Sequence, residues 1–96
     1  MLTAKQRKHL KSLAHHLEPV VRVGQHGLTP AVAAETGRAL DAHELIKVRI
    51  DADGEQRKLI ADELAAQTSS EVAGSIGKIA MLYRARAEKP EIKLPG

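Results

Sequence analysis

The stretch from Pro19 to Pro30, PVVRVGQHGLTP, determines how the rest of the chain is interpreted. Its first half is rich in β-branched residues and is ended by Gly24, a pattern typical of a short strand that begins at a proline. Its last residues, Thr29 and Pro30, are favoured at the N-cap and the first turn of a helix. The stretch therefore predicts a strand, a tight turn with a glycine at each end, and a helix.

Upstream of this stretch, the sequence predicts a first helix. Thr3 and Gln6 have the spacing of a capping box. Leu10, Leu13 and Leu17 recur at helical spacing and are expected to form its buried face. The helix is expected to stop near Leu17, because a proline two residues later disfavours helical backbone before it.

Downstream, two helices and three strands are predicted. The second helix extends to about residue 43, and alternating apolar and charged residues follow it, as in a strand. The remaining elements are a strand over residues 44–50, a helix over 53–70, and strands over 71–76 and 79–84 joined as a hairpin at Gly77 and Lys78. The order αβαβαββ indicates a two-layer α/β domain over residues 1–84, followed by a tail over residues 85–96.

Length and composition limit the class of protein. Ninety-six residues with 43% hydrophobic and 28% charged side chains are typical of one globular domain. The chain has no cysteine, which excludes disulfide scaffolds and thiol catalysis. No apolar run approaches the roughly 20 residues of a membrane span, and the first residues do not resemble a signal peptide. A cytoplasmic protein without membrane contact is expected.

The charge is unevenly distributed along the chain. The net charge is +3, and both ends are basic whereas the middle is acidic. If the two ends meet in space, they form a positive surface that suits a polyanion such as nucleic acid. Scattered, solvated charge remains the alternative interpretation.

The turn Gly24-Gln25-His26-Gly27 is the first candidate binding site. Two glycines allow the backbone to turn sharply and to approach a ligand closely, and the helix that follows offers unpaired N–H groups to a phosphate. A G-x-x-G turn is also the clamp that KH domains use on the RNA backbone. A plain strand–helix turn would have the same pattern, and a second G-x-x-G at residues 74–77 precedes no helix.

Basic side chains supply the second candidate site. On the first helix, Lys5, Lys8 and Lys11 are expected to lie together on the polar face, where they can contact phosphates independently of sequence. The other basic residues expected to extend this surface are Arg22, Lys47, Arg49, Lys78 and Arg84. Tyr83, the single aromatic residue, is expected in the core, which argues against binding by base stacking.

The sequence does not favour an enzyme or a metal protein. The five histidines include no H-x-x-x-H pair and no carboxylate at ligand spacing. No G-x-S-x-G, Walker or G-x-G-x-x-G motif is present. We therefore expect no catalytic residue, no metal ligand, no cofactor and no small-molecule substrate.

Several motifs together resemble the YhbY family of small bacterial proteins made of one CRM domain. The motifs are Lys8-His9-Leu10-Lys11, Pro19-Val20-Val21, Gly24-x-x-Gly27-Leu28-Thr29, His43-Glu44-Leu45-Ile46-Lys47-Val48, Ile76-Gly77-Lys78, Leu82-Tyr83-Arg84 and Ile92-Lys93-Leu94-Pro95. The resemblance implies a four-stranded mixed sheet similar to the C-terminal domain of translation initiation factor three. It also implies RNA binding on precursors of the large ribosomal subunit, with the G-x-x-G loop at Gly24–Gly27.

The resulting hypothesis is a monomeric RNA-binding domain that binds ribosomal RNA and assists large-subunit assembly without catalysis. The alternative is a protein–protein adaptor that docks on a ribosomal protein or assembly factor. The adaptor would use the acidic residues Glu35, Asp41, Glu55, Asp62 and Glu63.

Overall fold

The computed structural model describes residues 2–96, which contain three helices and four strands in the predicted order. The helices are α1 (Ala4–Ala14), α2 (Pro30–His43) and α3 (Gly54–Thr68). The strands are β1 (Pro19–Val23), β2 (Leu45–Ile50), β3 (Glu71–Ile76) and β4 (Ile79–Tyr83). The order αβαβαββ is therefore confirmed. None of the helices in residues 2–96 is both long and apolar enough to cross a membrane.

Each helix begins where the sequence places a capping residue. Thr3 and Gln6 form the reciprocal hydrogen bonds of a capping box at α1. The hydroxyl of Thr29 accepts the backbone N–H of Val32 at α2, and Asp53 caps α3 in the same way. These local bonds explain why the helix starts could be predicted from single residues.

The four strands form one mixed sheet in the order β1-β2-β4-β3. Strands β1 and β2 run parallel, and the other two pairs are antiparallel. The β3–β4 hairpin turns at Gly77, whose φ of +56° suits the first central position of a two-residue turn. Strand β3 has a register shift between Val72 and Gly74, so the strand predicted with Gly74 inside it is present and bulged.

The larger core lies between one face of the sheet and helices α2 and α3. Alternation along β2 directs Ile46, Val48 and Ile50 into this core, as predicted. The other buried members are Val21, Val23, Leu40, Ala61, Leu64, Ala65, Ala80 and Leu82. The core is entirely aliphatic.

The opposite face of the sheet is covered in part by α1 and the C-terminal tail, which form a layer that the two-layer expectation did not include. Leu10 and Ala14 of α1 pack there against Leu45, Met81 and Tyr83. The cover is incomplete along β2: Leu45 is buried, Lys47 is half-buried and Arg49 is exposed. Half of this face is therefore open to a ligand.

Helix α1 is shorter than predicted, and its buried face differs. It ends at Ala14, so Leu17 lies beyond the helix. Leu10 and Ala14 are fully buried, whereas Leu13 and Leu17 are 41% and 38% exposed. The prediction that three leucines line the core was wrong for Leu13 and Leu17. Helix α1 contacts the sheet along a narrow stripe that contains Leu10 and Ala14, and Leu13 lies beside this stripe.

The tail, residues 85–96, has no helix or strand but is held against the domain. Ile92 and Leu94 pack on the smaller core, the buried cluster that includes Leu10, Leu45 and Tyr83. The buried carboxylate of Glu44 accepts the backbone N–H groups of Arg86, Glu91 and Ile92 at 2.8, 2.7 and 2.9 Å. Burial raises the pKa of Glu44, but these three donors and the Arg86 guanidinium outweigh it and leave the pKa below its usual value.

Candidate nucleic-acid interface

The Gly24–Gly27 turn is closed by its own backbone. The N–H of Gly27 donates to the carbonyl oxygen of Gly24 at 3.0 Å. Gly27 has a φ of +75°, which side-chain-bearing residues rarely adopt, so the fold itself requires glycine there. Gly24 has no positive φ, and no atom lies within 4 Å of the place where its Cβ would be. The space over Gly24 is therefore open, and nothing within the described fold explains the absence of a side chain.

The start of α2 offers fewer free donors than the sequence suggested. Pro30 has no N–H, and the N–H groups of Val32 and Ala33 bond to Thr29. Among the first four residues of α2 in the described chain, Ala31 alone has an N–H without a partner. The set of unpaired N–H groups expected at this helix end is reduced to one donor.

Two arginines lie side by side where β1 and β2 end. Arg22 and Arg49 are register partners on these parallel strands and share the face opposite α2 and α3. Each donates its Nε to a different carboxylate oxygen of Asp51, at 2.6 and 3.0 Å. The side chains of Arg22 and Arg49 are 69% and 48% exposed, whereas that of Asp51 is 14% exposed. The hydrogen bonds from Arg22 and Arg49 hold the pKa of Asp51 below its usual value.

This arginine pair forms one wall of an open cleft, which we call the arginine cleft. Its lining comes from the end of β1, the G-x-x-G turn, the end of β2, the start of α3 and the β3–β4 turn. The residues are Arg22, Gln25, Arg49, Asp51, Ala52, Asp53, Arg57 and Lys78. Four predicted residues from separate segments, Arg22, Gln25, Arg49 and Lys78, thus meet at one place.

Two further predicted lysines lie over the same face of the sheet. Lys47 of β2, Met81 of β4 and Gly74 of β3 are register partners in one row across the sheet. The methylene chain of Lys11 passes over Gly74, with its Cγ and Cδ 3.3 Å from the position of a Cβ there. We call Lys11, Lys47, Arg49 and Arg22 the cationic face. Lys47, Arg49 and Arg22 share this face of the sheet by strand register, and Lys11 reaches it from α1.

The other predicted residues are placed differently. Lys5 and Lys8 are exposed on the side of α1 away from Leu10, and His26 is exposed in the turn. Arg84 lies at the opposite end of β4 from Lys78. Its guanidinium donates to the carbonyl oxygens of Thr68 and Gly37 and pairs with Asp41 at 2.6 Å. Arg84 therefore joins α2, α3 and β4, and we leave it out of the proposed interface.

Sequence reasoning missed four of the eight residues that line the arginine cleft, and two of these, Asp51 and Arg57, bond to other cleft residues through their side chains. Asp51 follows Arg49 at a spacing of two residues, which keeps both on one side of an extended chain and was a usable signal. Arg57 is one turn into α3, and its Nη1 donates to the Ala52 carbonyl at 2.8 Å. No local pattern marks Arg57, because its position depends on how α3 packs beside the end of β2.

The family model of the CRS1/YhbY (CRM) domain matches residues 2–84. The chain belongs to this family. The matched range of the CRM domain starts just before α1 and ends one residue after β4, so it includes the G-x-x-G turn, the arginine cleft and the cationic face. The resemblance found in the sequence motifs is thus confirmed.

Curated relatives and a solved structure agree with this assignment. The CRM domain is 50% identical over 84 residues to a Pseudomonas aeruginosa protein named probable RNA-binding protein, covering 86% of this chain and 81% of the relative. It is 46% identical over 95 residues to a Haemophilus influenzae protein named RNA-binding protein, covering 98% and 95%. A solution structure from Staphylococcus aureus superposes with a TM-score of 0.88 at 35% identity, covering 99% of this chain and 100% of the other.

Proposed function

We propose that this CRM domain binds RNA, and that its RNA target is ribosomal RNA in precursors of the large ribosomal subunit. The names of the Pseudomonas and Haemophilus relatives support RNA as the ligand. The arginine pair on the open half of the sheet, beside the G-x-x-G turn, is the observation that carries the proposal. One guanidinium group can donate two parallel N–H hydrogen bonds to the oxygens of a phosphate. A glycine turn with open space above it lets a sugar–phosphate backbone come close.

The proposed mode of binding is recognition of the RNA backbone and its shape. Tyr83 is the single aromatic residue of the sequence, and it is 6% exposed in the smaller core. It cannot stack on a base, so the stacking mode of RRM and OB folds is not available to this surface. Binding of phosphates by the cationic face and by Lys5 and Lys8 would give an affinity that falls steeply with salt.

The proposal assigns the protein a binding role without catalysis, cofactor or small-molecule substrate. We propose that it acts as a monomer in the cytoplasm, where bacterial ribosomal subunits are assembled. Assistance to assembly would come from holding a segment of precursor RNA in one conformation until later interactions replace the CRM domain.

The direct test is crosslinking in cells followed by sequencing of the attached RNA. The proposal expects crosslinks concentrated at one or a few sites of large-subunit precursor RNA. An Arg22→Gln, Arg49→Gln variant expressed at the same level should lose these sites, whereas Lys58→Gln on α3 should keep them. Crosslinks that follow the abundance of each RNA, and that are unchanged in the arginine variant, would contradict the proposal.

The adaptor function is a second candidate, supported by where the acidic residues lie. Asp41, Glu55, Asp62 and Glu63 are exposed on α2 and α3, on the side of the sheet away from the cationic face, whereas Glu35 of α2 is exposed beside Arg22 and Arg49 at the β1 edge. A basic partner could dock there while RNA occupies the other side. A protein partner that still co-purifies after ribonuclease treatment and in moderate salt would favour the adaptor. An association that depends on RNA would be lost after ribonuclease treatment and weakened steeply by salt.

A further inference from the structure

Asp51 is an unexpected residue at the centre of a surface proposed to bind a polyanion. Its carboxylate lines the arginine cleft between two arginines and is held ionised by them. On charge alone, an acidic group at this place repels phosphate and weakens binding. Its position therefore calls for a role other than its charge.

The geometry supplies that role. Asp51 binds each guanidinium only through Nε, at 2.6 Å for Arg22 and 3.0 Å for Arg49. The terminal nitrogens of both arginines have no hydrogen-bond partner within residues 2–96. Asp51 is itself fixed, since its backbone N–H donates to the carbonyl oxygen of Val23 at 3.0 Å. Both guanidinium groups are thus anchored on one side and free on the other.

We propose that Asp51 is a positioning residue, which holds the terminal nitrogens of Arg22 and Arg49 ready to receive one phosphodiester group of an RNA backbone in the arginine cleft. Gln25 and Lys78 lie at the same cleft and can bind the flanking sugar or phosphate. This proposal rests on the proposed RNA-binding function and identifies the chemical group that the cleft takes.

The physical reason is preorganisation. A free arginine side chain loses conformational freedom when it is fixed in one rotamer. If a neighbouring carboxylate already holds the arginine in place, less conformational entropy is lost when the phosphate binds, and the affinity for phosphate is higher. The benefit applies to both arginines at once, because the two oxygens of Asp51 hold one each.

The test measures the affinity of the full chain for a short fluorescein-labelled RNA hairpin by anisotropy. Asp51→Ala is expected to weaken binding by about threefold or more, although it makes the protein more positive. Asp51→Asn keeps the shape and one acceptor oxygen, and should weaken binding less. Asp62→Ala, which removes an exposed acid of α3, is the matched control and should bind as tightly as the wild type or more so. Circular dichroism confirms that each variant is folded.

Two further readouts separate positioning from a general effect on the fold. In the Arg22→Gln, Arg49→Gln background, Asp51→Ala should no longer weaken the residual RNA binding measured at low salt, because no guanidinium remains to be positioned. The Nε–H NMR signals of Arg22 and Arg49 should be protected from exchange in the wild type and lose protection in Asp51→Ala. Equal or tighter RNA binding by Asp51→Ala overturns the positioning role and leaves RNA binding intact. A wild-type protein that does not bind the hairpin would instead overturn the proposed function.

Discussion

Lys11 of α1 lies directly across Gly74 of β3, and this packing fixes the position of a predicted RNA-binding lysine. A Cβ on Gly74 would come against the Cγ, Cδ and Cε atoms of Lys11. The glycine that weakens β3 as a strand therefore makes room for Lys11 to cross the sheet face beside Met81. The second G-x-x-G of the sequence thus has a packing role, separate from the turn at Gly24.

Gly74→Ala should move Lys11 without unfolding the domain, because the atoms displaced belong to a flexible side chain. We expect a decrease of about 1 kcal/mol or less in the free energy of unfolding. RNA affinity should fall as it does in Lys11→Gln. In a Lys11→Ala background, Gly74→Ala should be neutral or stabilising in thermal unfolding, since alanine fits a strand better than glycine. The same destabilisation in both backgrounds would show that the packing of Lys11 on Gly74 is unimportant.

The two glycines of the turn should respond differently to substitution. Gly24→Asp places a carboxylate in open space, so the melting temperature should change little while RNA affinity falls. Gly27→Ala forces a side chain into a positive φ and should cost about 1 kcal/mol of stability. Wild-type RNA affinity in a folded Gly24→Asp protein would exclude the turn as part of the RNA-binding surface.

The exposed lysines of α1 can be tested through the salt dependence of binding. Changing Lys5, Lys8 and Lys11 together to Gln should flatten the plot of log affinity against log salt by about 0.7–0.9 for each phosphate that is no longer neutralised. Thermal stability should change little, because the buried Leu10 and Ala14 are untouched. If slope and affinity both stay at wild-type values, these lysines serve solubility alone.

Glu44 should make the attachment of the tail depend on pH. Its carboxylate has a pKa below the ordinary value of 4.5, so its contribution is fully present above that pH and is lost as the pH falls through the lower folded-state pKa. Glu44→Gln should lower the free energy of unfolding at pH 7 by about 1–3 kcal/mol, because buried N–H donors lose their ionised acceptor. Chemical denaturation of both proteins from pH 7 to pH 3 should show this difference shrinking in acid. A difference that does not vary with pH would contradict the role of the ionised carboxylate.

Most of the fold could be predicted because its signals are local. Thr3, Thr29 and Asp53 cap helices through residues three positions away, and alternation along β2 specifies which side chains enter the larger core. The side of the sheet on which α1 packs could not be predicted, because both faces of β4 carry apolar residues. The expectation for Leu13 was wrong for a separate reason, because its burial depends on which stripe of α1 contacts the sheet.

The sequence identified several residues of the candidate site but not how they are arranged in space. Arg22, Gln25, Arg49 and Lys78 stand out in the sequence as separate features, and the parallel pairing of β1 with β2 brings the first three together. The role of Asp51 was missed because acidic residues were assigned to the solvent or to the adaptor surface. Nothing in the sequence distinguishes Arg84 from the other basic residues, because its bonds to α2 and to the end of α3 join segments that are distant in the chain.

The measurement that tests the central claim most directly is RNA affinity after charge reversal on the open half of the sheet. Lys47→Glu, Arg49→Glu should abolish binding of the RNA hairpin, and Lys47→Gln, Arg49→Gln should weaken it, with folded circular dichroism spectra in both. Arg38→Glu, Lys58→Glu changes the net charge equally on the exposed side of α2 and α3 and should retain most of the wild-type affinity. If the Lys47→Glu, Arg49→Glu protein is folded and binds as tightly as the Arg38→Glu, Lys58→Glu protein, the sheet face is not the RNA-binding surface.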